Sequence, residues 1–427
     1  MKRSHILLFG ANAFGTGLLT PVLSLVLLSH GATLENLSLC IGIFAVMVVV
    51  LELPSGIMAD LIGRKRIFLL SACFMMANYV LLMFSSHFLM LAAACAMQGI
   101  GRAFSSGSIE ALEIETYLRE QEGRNLEKIN STMAVTDSVG LALGSITGGV
   151  LGFLDGSYSL LLILALAIQA LILFLAACFV KEPARKRSPL SPALQFKEQL
   201  RGLYHSLRNS LSVITIVLMS AAYGLLLCTV EVYWQPTLKT FLPEQLGWIF
   251  GVVTCLGYLG VTIGSKAAEA AMQSKKAVLT PQKSWRTYWI LRFLLVLSVA
   301  ALGFTHRVWL FLALFVLVYI VLGAGNLIEN TIFHEAVGND QRASMMSVLS
   351  LSLRAGGLAA SVLGSLIVSG LSLSYVWLLF PLFSALTIGG IMIFHYRAGT
   401  RRHAPKLAVK PTSPRFPPAC ARRNRSS

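Results

Sequence analysis

Hydrophobic residues in this 427-residue chain fall into twelve runs separated by short polar breaks. Each run is about 20 residues long, the length an α-helix needs to cross the hydrocarbon core of a bilayer. They lie at 6–29, 37–59, 67–86, 88–110, 131–154, 160–180, 211–234, 246–264, 287–305, 308–331, 344–369 and 375–396. The pattern predicts an all-α polytopic membrane protein with twelve transmembrane helices. The longest of the interior breaks, 181–209, holds KEPARKRSPLSP and a mixed polar run, and it divides the helices six and six. Four regions follow: a six-helix bundle at 1–180, a cytoplasmic linker at 181–209, a second bundle at 210–396 and a basic tail at 397–427. Halves that rock against each other around a midplane site need such a linker.

Composition agrees with the pattern. Hydrophobic residues make up 56% of the chain and charged ones 13%, with a mean hydropathy of +0.72, too little polar surface for a soluble protein of this size. The formal net charge of +16 raises nucleic acid as a partner, but its distribution argues against that. Of 35 Lys and Arg, 30 lie in alternate breaks and the tail, three lie inside apolar runs (Arg102, Arg292, Arg354), and two (Lys239, Arg307) lie at the other end. The breaks HGATLEN, SSH, DGSYS and SGLSLS carry none. This is the positive-inside distribution, so both termini are expected in the cytoplasm and the charge reports topology. The tail's basic, Pro-containing composition predicts disorder and attraction to anionic headgroups. The seven cysteines are scattered with no C-x-x-C, which predicts neither a disulfide framework nor a metal site. MKRSHILLFG begins like a signal peptide, but the long run after it reads as the first membrane helix.

The segment GIMADLIGRKR, 56–66, stands between the second and third runs. Gly56 and Asp60 share a helix face with Glu52 one turn further up. Gly63 ends the helix, and Arg64, Lys65 and Arg66 suit its C-terminus and a cytoplasmic loop. In the fifth run, Gly140, Gly144, Gly148 and Gly149 set small residues four apart, a spacing that lets two helix backbones approach closely in a membrane. Helix one carries Asn12, Gly15, Gly17 and Pro21, which make it bendable.

The loop resembles the G-x-x-x-D-x-x-G-R-[KR] signature between helices two and three of the major facilitator superfamily of secondary transporters, matched at Gly56, Asp60, Gly63, Arg64 and Lys65. Gly140-LAL-Gly144-Ser145-IT-Gly148-Gly149 resembles the G-x-x-x-G-P-x-x-G-G signature of its drug:proton antiporter branch, with Ser145 in place of the proline. ELPSG at 52–56, SGSIEAL at 106–112 and QRASMMS at 341–347 look like the same branch. The second-half segment from Gly260 through Gly264 to Lys266 looks like a worn copy of the loop, without the acid. The resemblance implies the major facilitator fold: two pseudosymmetric six-helix bundles around a central cavity. It also implies that Asp60 bonds near the start of helix eleven and helps latch the cytoplasmic side, as suits a carboxylate at a helix N-terminus.

Ionisable side chains in hydrocarbon need a partner, a water-filled cavity or a function. Glu52 and Arg102 lie at similar depth and are expected to meet. Either Glu52 carries a proton with Arg102 tuning it, or the two form a permanent buried pair. Glu110, Asp137 and Glu329 are further proton-relay candidates, with interfacial positions expected for Glu110 and Glu329. Glu231 is read as part of an outer gate or an interfacial belt with Tyr233 and Trp234. Arg354 is placed to meet an anionic group on a substrate or to bridge to Asp60. Asn12, Phe14, Tyr223, Tyr258 and Tyr319 are candidate cavity residues, with helix packing as the alternative for the aromatics. There is no phosphate-binding G-x-x-x-x-G-K-[ST], and His334-Glu335 lacks the second His of H-E-x-x-H, so neither ATP use nor zinc hydrolysis is expected. The reading is a non-enzymatic secondary transporter without cofactors, a monomer in the plasma or bacterial inner membrane. It exports small amphipathic or drug-like compounds against protons; import by a uniporter or symporter is the alternative, and a membrane enzyme or sensor a remote one.

Overall fold

The computed structural model describes residues 3–105, 126–180, 210–273, 281–337 and 342–403. The linker 181–209, Glu110 and the tail from 404 onward lie outside them. Two helices form a broken first span, α1 (Arg3–Leu19) and α2 (Leu23–Ser29), bent by 54°. The break falls at Pro21, whose ring has no N–H to give the preceding turn. The rest of the first bundle is α3 (Leu34–Ile62), α4 (Arg64–Phe84), α5 (Phe88–Ser105), α6 (Leu126–Leu154) and α7 (Ser159–Phe179). The second comprises α8 (Leu211–Lys239), α9 (Ile249–Gln273), α10 (Pro281–Gly303), α11 (Val308–Ala336), α12 (Arg342–Gly370) and α13 (Leu373–His403). Among the described residues eleven helices are long and apolar enough to span a membrane, or twelve if the bent pair is one span.

Several helices outrun their apolar runs. α3 continues through Asp60 to Ile62, so the segment from Gly56 is mostly helix and the break is a single residue, Gly63. α13 runs through His403, seven residues into the stretch expected to be disordered from Arg397. Hydropathy marks where a helix leaves the bilayer, whereas only a residue that breaks the backbone ladder ends it. α9 likewise continues unbroken past Gly264, which corrects the reading of Gly260–Lys266 as a second loop. A Cβ on Gly264 would fall on the carbonyl of Ile320, so this glycine serves contact with α11.

Each bundle closes on its own contacts, α1 with α6 and α3 with α5 in the first, α8 with α12 and α9 with α11 in the second. The bundles meet through α3 against α12, α6 against α9, and α2 against α8. Large apolar residues face outward on nearly every span, among them Leu7, Phe84, Leu89, Phe174, Leu297 and Trp309, the belt that hydrocarbon covers. One end of the molecule carries the Arg64–Arg66 cluster and the starts of α8, α10 and α12; we call it the basic end. At the opposite, far end, Asp155 caps α7, accepting from the Ser157 hydroxyl at 2.6 Å and the Leu160 N–H at 2.9 Å, which hold its carboxyl below the usual range.

Candidate functional site

The glycine run of α6 sets how closely the first bundle packs. A Cβ on Gly140 would meet the Ala13 side chain at 2.7 Å, and Cβ atoms on Gly144 and Gly148 would fall on the carbonyls of Phe14 and Leu18. Gly149 faces the other way, where a Cβ would strike the backbone of Gly251 on α9. Three of the four glycines therefore seat α6 on α1, and the fourth joins the two bundles. Phe14 sits in this seam with its backbone against Gly140 and Gly144, and half-buried Asn12 lies two residues before it, its carbonyl accepting from the Thr16 hydroxyl at 3.0 Å. Ser145, where the family signature has proline, keeps the helical ladder and returns its hydroxyl to Leu141 O at 2.7 Å. It also lies with Thr20 near the Tyr258 hydroxyl, so Tyr258 of the second bundle faces the first.

The bundles are sealed at the far end. The Ser24 N–H donates to Gln235 Oε1 at 2.8 Å, Gln235 Nε2 donates to Thr20 O at 2.8 Å, and the Ser24 hydroxyl donates to Val232 O at 2.9 Å. Gln235 thus replaces the backbone bonds that the break at Pro21 removes. Gly42 of α3 packs against Ser361 of α12 in the same half of the membrane.

Toward the middle, charged residues from both bundles face one another. Glu52 on α3 receives the Ser350 hydroxyl, 3.2 Å from each of its oxygens, and Arg354 Nε lies 3.6 Å from Glu52 Oε2. Both side chains are about a quarter exposed, 22% for Glu52 and 24% for Arg354, which marks a water-accessible interior and not a sealed pair. The expected partnership of Glu52 with Arg102 is corrected: Arg354 and Ser350 from the second bundle hold the carboxylate. Arg102 is exposed and lies in coulombic range of Asp137 and of Arg354. Arg354 meets Glu52 two turns deeper than Asp60, whose side chain lies outside the described residues together with the expected bridge to it.

Of the two places expected for Glu231, an outer gate or an interfacial belt, the belt is corrected. Val230, Val232, Tyr233, Trp234 and Gln235 around it are all buried, while Glu231 itself is exposed. Residues of three other helices, Tyr258 (α9), Tyr319 (α11) and Arg354 (α12), lie in its coulombic range, so it opens on the interior space between helices. Tyr233 and Trp234 are core residues and form no interfacial belt with it. Tyr319, on α11, lies beside Gly257 and Gly260, its ring 4.8 Å from that of Phe315 and tilted by 39°.

Glu329 is not interfacial. It is 8% exposed, pairs with Arg292 Nη2 and accepts from the Tyr288 hydroxyl at 2.6 Å. Arg292 also donates to Asn326 Oδ1 at 3.1 Å, and its guanidinium lies 4.6 Å over the ring of Tyr223. Tyr223, expected to line the cavity, is a buried member of this second cluster. Sequence reasoning saw Arg292 in an apolar run without assigning it a partner; an Arg and a Glu in neighbouring spans at matching depth was the available signal.

At the basic end, Gly63 joins α3 to α4 with φ +114° and ψ 139°, a conformation nearly confined to glycine. The N–H of Gly63 closes α3 on Ala59 O at 3.2 Å, and Lys65 Nζ ties the start of α4 to Ala177 O of α7 at 2.7 Å. Arg64 is half-buried and Arg66 exposed. Gly56 is helical, exposed and has open space where a Cβ would go. The two glycines therefore predict opposite outcomes. Gly63→Ala should lower stability by about 1–3 kcal/mol through backbone strain. Gly56→Ala should be neutral or stabilise by up to about 1 kcal/mol, since alanine favours a helix. Denaturation midpoints in detergent test both; equal midpoints for the two variants would refute the assignment.

Comparison with known proteins agrees with this architecture. Residues 6–279 match the family model described as Major Facilitator Superfamily. An uncharacterized transporter of this type from Bacillus subtilis, YxaM, is 26% identical over 257 residues, covering 58% of this chain and 62% of its own length. The class H tetracycline resistance protein of Pasteurella multocida is 27% identical over 180 residues, 42% of this chain and 43% of that protein. The matches thus span less than two thirds of either relative. Among solved structures, the nucleoside transporter NupG superposes with a TM-score of 0.75 at 13% identity, covering 91% of this chain and 98% of NupG. A bacterial homologue of the human lysosomal transporter Spinster, in an inward-facing and unoccupied conformation, gives 0.69 at 13% identity, over 93% and 96%. With its two six-helix bundles and a family match over more than half its length, the chain belongs to the Major Facilitator Superfamily.

Proposed function

We propose that this protein is a secondary transporter that exports small amphipathic compounds in exchange for protons by alternating access. The observation that carries this reading is the charge count at the bundle interface. Among the described residues, three carboxylates, Glu52, Asp137 and Glu231, face two guanidiniums, Arg102 and Arg354, an excess of one negative charge in that set. An unmatched carboxylate inside a membrane protein is neutralised by a proton or by a cationic group, and a site that accepts either one at a time couples the two. Glu52 and Arg354 come from opposite bundles, so their contact changes whenever the bundles rock. Glu231, Tyr258 and Tyr319 supply the acidic and aromatic surface suited to an amphipathic cation. With the basic end in the cytoplasm, the far-end seal corresponds to an inward-facing state. The tetracycline resistance relative favours export over uptake.

Proteoliposomes with an imposed pH gradient, a pH-sensitive dye and a panel of cationic, neutral and anionic compounds test this. Cationic amphiphiles should dissipate the gradient only when active protein is present, and Glu52→Gln should abolish coupled transport while leaving the detergent melting curve intact. Solute equilibration without proton movement would instead identify a uniporter, and coupled transport unchanged in Glu52→Gln would remove Glu52 from the mechanism.

A further inference from the structure

On the outer side of the second bundle, α10 and α13 border an apolar groove of about 540 Å³. Arg286 stands at its mouth with Tyr396 opposite, and Ile290, Leu294 and Leu297 line it deeper along α10. Lys283 lies one turn before Arg286, and both are exposed. Positions 283, 286, 290, 294 and 297 recur every three or four residues, so they form one stripe, cationic for its first turn and then apolar for three more. From Arg286 to Leu297 the stripe is about 16 Å long at 1.5 Å per residue. Trp289 forms the inner wall, stacked on Trp285, and its buried indole N–H has no partner in the protein.

We infer that this groove is a binding site for one anionic phospholipid of the leaflet at the basic end, the cytoplasmic leaflet in the orientation proposed above. An acyl chain fills the apolar stripe and a phosphate sits between Lys283 and Arg286. Three observations converge on that occupant. The volume falls in the range of sites that take small organic ligands. The cations lie in the first two turns of α10, at the basic end, and Tyr396 lines the same groove, the pairing of basic and aromatic residues found at membrane interfaces generally. Basic pockets between helices on that side hold acidic headgroups. Plain snorkelling of two cations to the surface predicts attraction to many lipids at once. A groove predicts one lipid retained, with a chain inside it. Because α13 also packs on α8, which carries Glu231, the bound lipid joins the moving bundle at its outer face.

Native mass spectrometry of the full chain, purified in detergent and titrated with dioleoyl phosphatidylglycerol or dioleoyl phosphatidylcholine, tests this. The wild type should retain a single phosphatidylglycerol in preference to phosphatidylcholine by about 25-fold, since each cation near a bilayer surface is worth about fivefold. Lys283→Gln with Arg286→Gln should erase the preference, and both residues are exposed, so folding is spared. Leu294→Trp, which fills the groove, should lose the retained lipid while keeping the cations. Equal retention of the two lipids by the wild type, several lipids binding without saturation at one, or a preference that survives the double substitution would each overturn the site. None of these readouts depends on transport, so the lipid site and the transport reading stand or fall separately.

Discussion

Arg292→Ala is expected to destabilise the protein by about 3–5 kcal/mol, the range for removing one member of a buried ion pair. Glu329, 8% exposed, would be left with the Tyr288 hydroxyl as its remaining polar partner in a mostly buried position. The same substitution releases α8, because the guanidinium covers the Tyr223 ring while bonding to Asn326 and Glu329 on α11. Replacing both partners by apolar residues of similar size, Arg292→Met with Glu329→Leu, should recover most of the loss, since the cost comes from the unpaired charge more than from the absence of the pair. Denaturation midpoints for the two single variants and the double variant decide it. An Arg292→Ala effect below about 1 kcal/mol, as at an exposed pair, would mean that the cluster is hydrated and that its role must be sought in transport.

Gln235→Leu is expected to unseal the far end without unfolding the bundle. Its amide holds the Ser24 N–H and the Thr20 carbonyl, the two groups left over where Pro21 interrupts the first span. Each buried orphan costs about 1–3 kcal/mol. In a state open at the far end, water satisfies both, so the substitution penalises the closed state selectively. A loss of at least about 2 kcal/mol corresponds to a shift of about thirtyfold in the ratio of open to closed states. Cys228, buried on α8 two turns inward of Gln235, reports the change when it is the only cysteine retained. An impermeant maleimide added from outside should label Cys228 much faster in the variant than in the parent. Unchanged labelling would show that Gly149 against Gly251 and Gly42 against Ser361 hold the seal by themselves.

Glu52 and Arg354 show where reading the sequence stops. Each announces itself as an ionisable residue within an apolar run, and counting residues places each at a depth along its helix. Depth paired Glu52 with Arg102, whereas the fold brings Arg354 and Ser350 to it from the other bundle. The belt reading of Glu231 failed for a related reason: its distance from the end of α8 suggested an interface, and only the direction in which the helix turns that face put it in the interior. Gly63 was legible because its requirement is local, a backbone conformation that side chains avoid. Tyr223 was half legible, an aromatic in a span, assigned to the cavity but held under Arg292.

The sequence by itself determined the number of spans, the division into two sets of six, the end of α3 at Gly63 and which charges lie within the membrane. These depend on the length of apolar runs, on the rise of a helix and on residues that end or bend it, all of which act within a few positions along the chain. Tertiary structure alone decided which charges meet, which tyrosines face the interior and how Gln235 closes the far end. Those outcomes depend on how each helix is rotated about its axis against its neighbours, and that rotation is chosen by packing between residues up to 298 positions apart, as in the contact of Ser350 with Glu52.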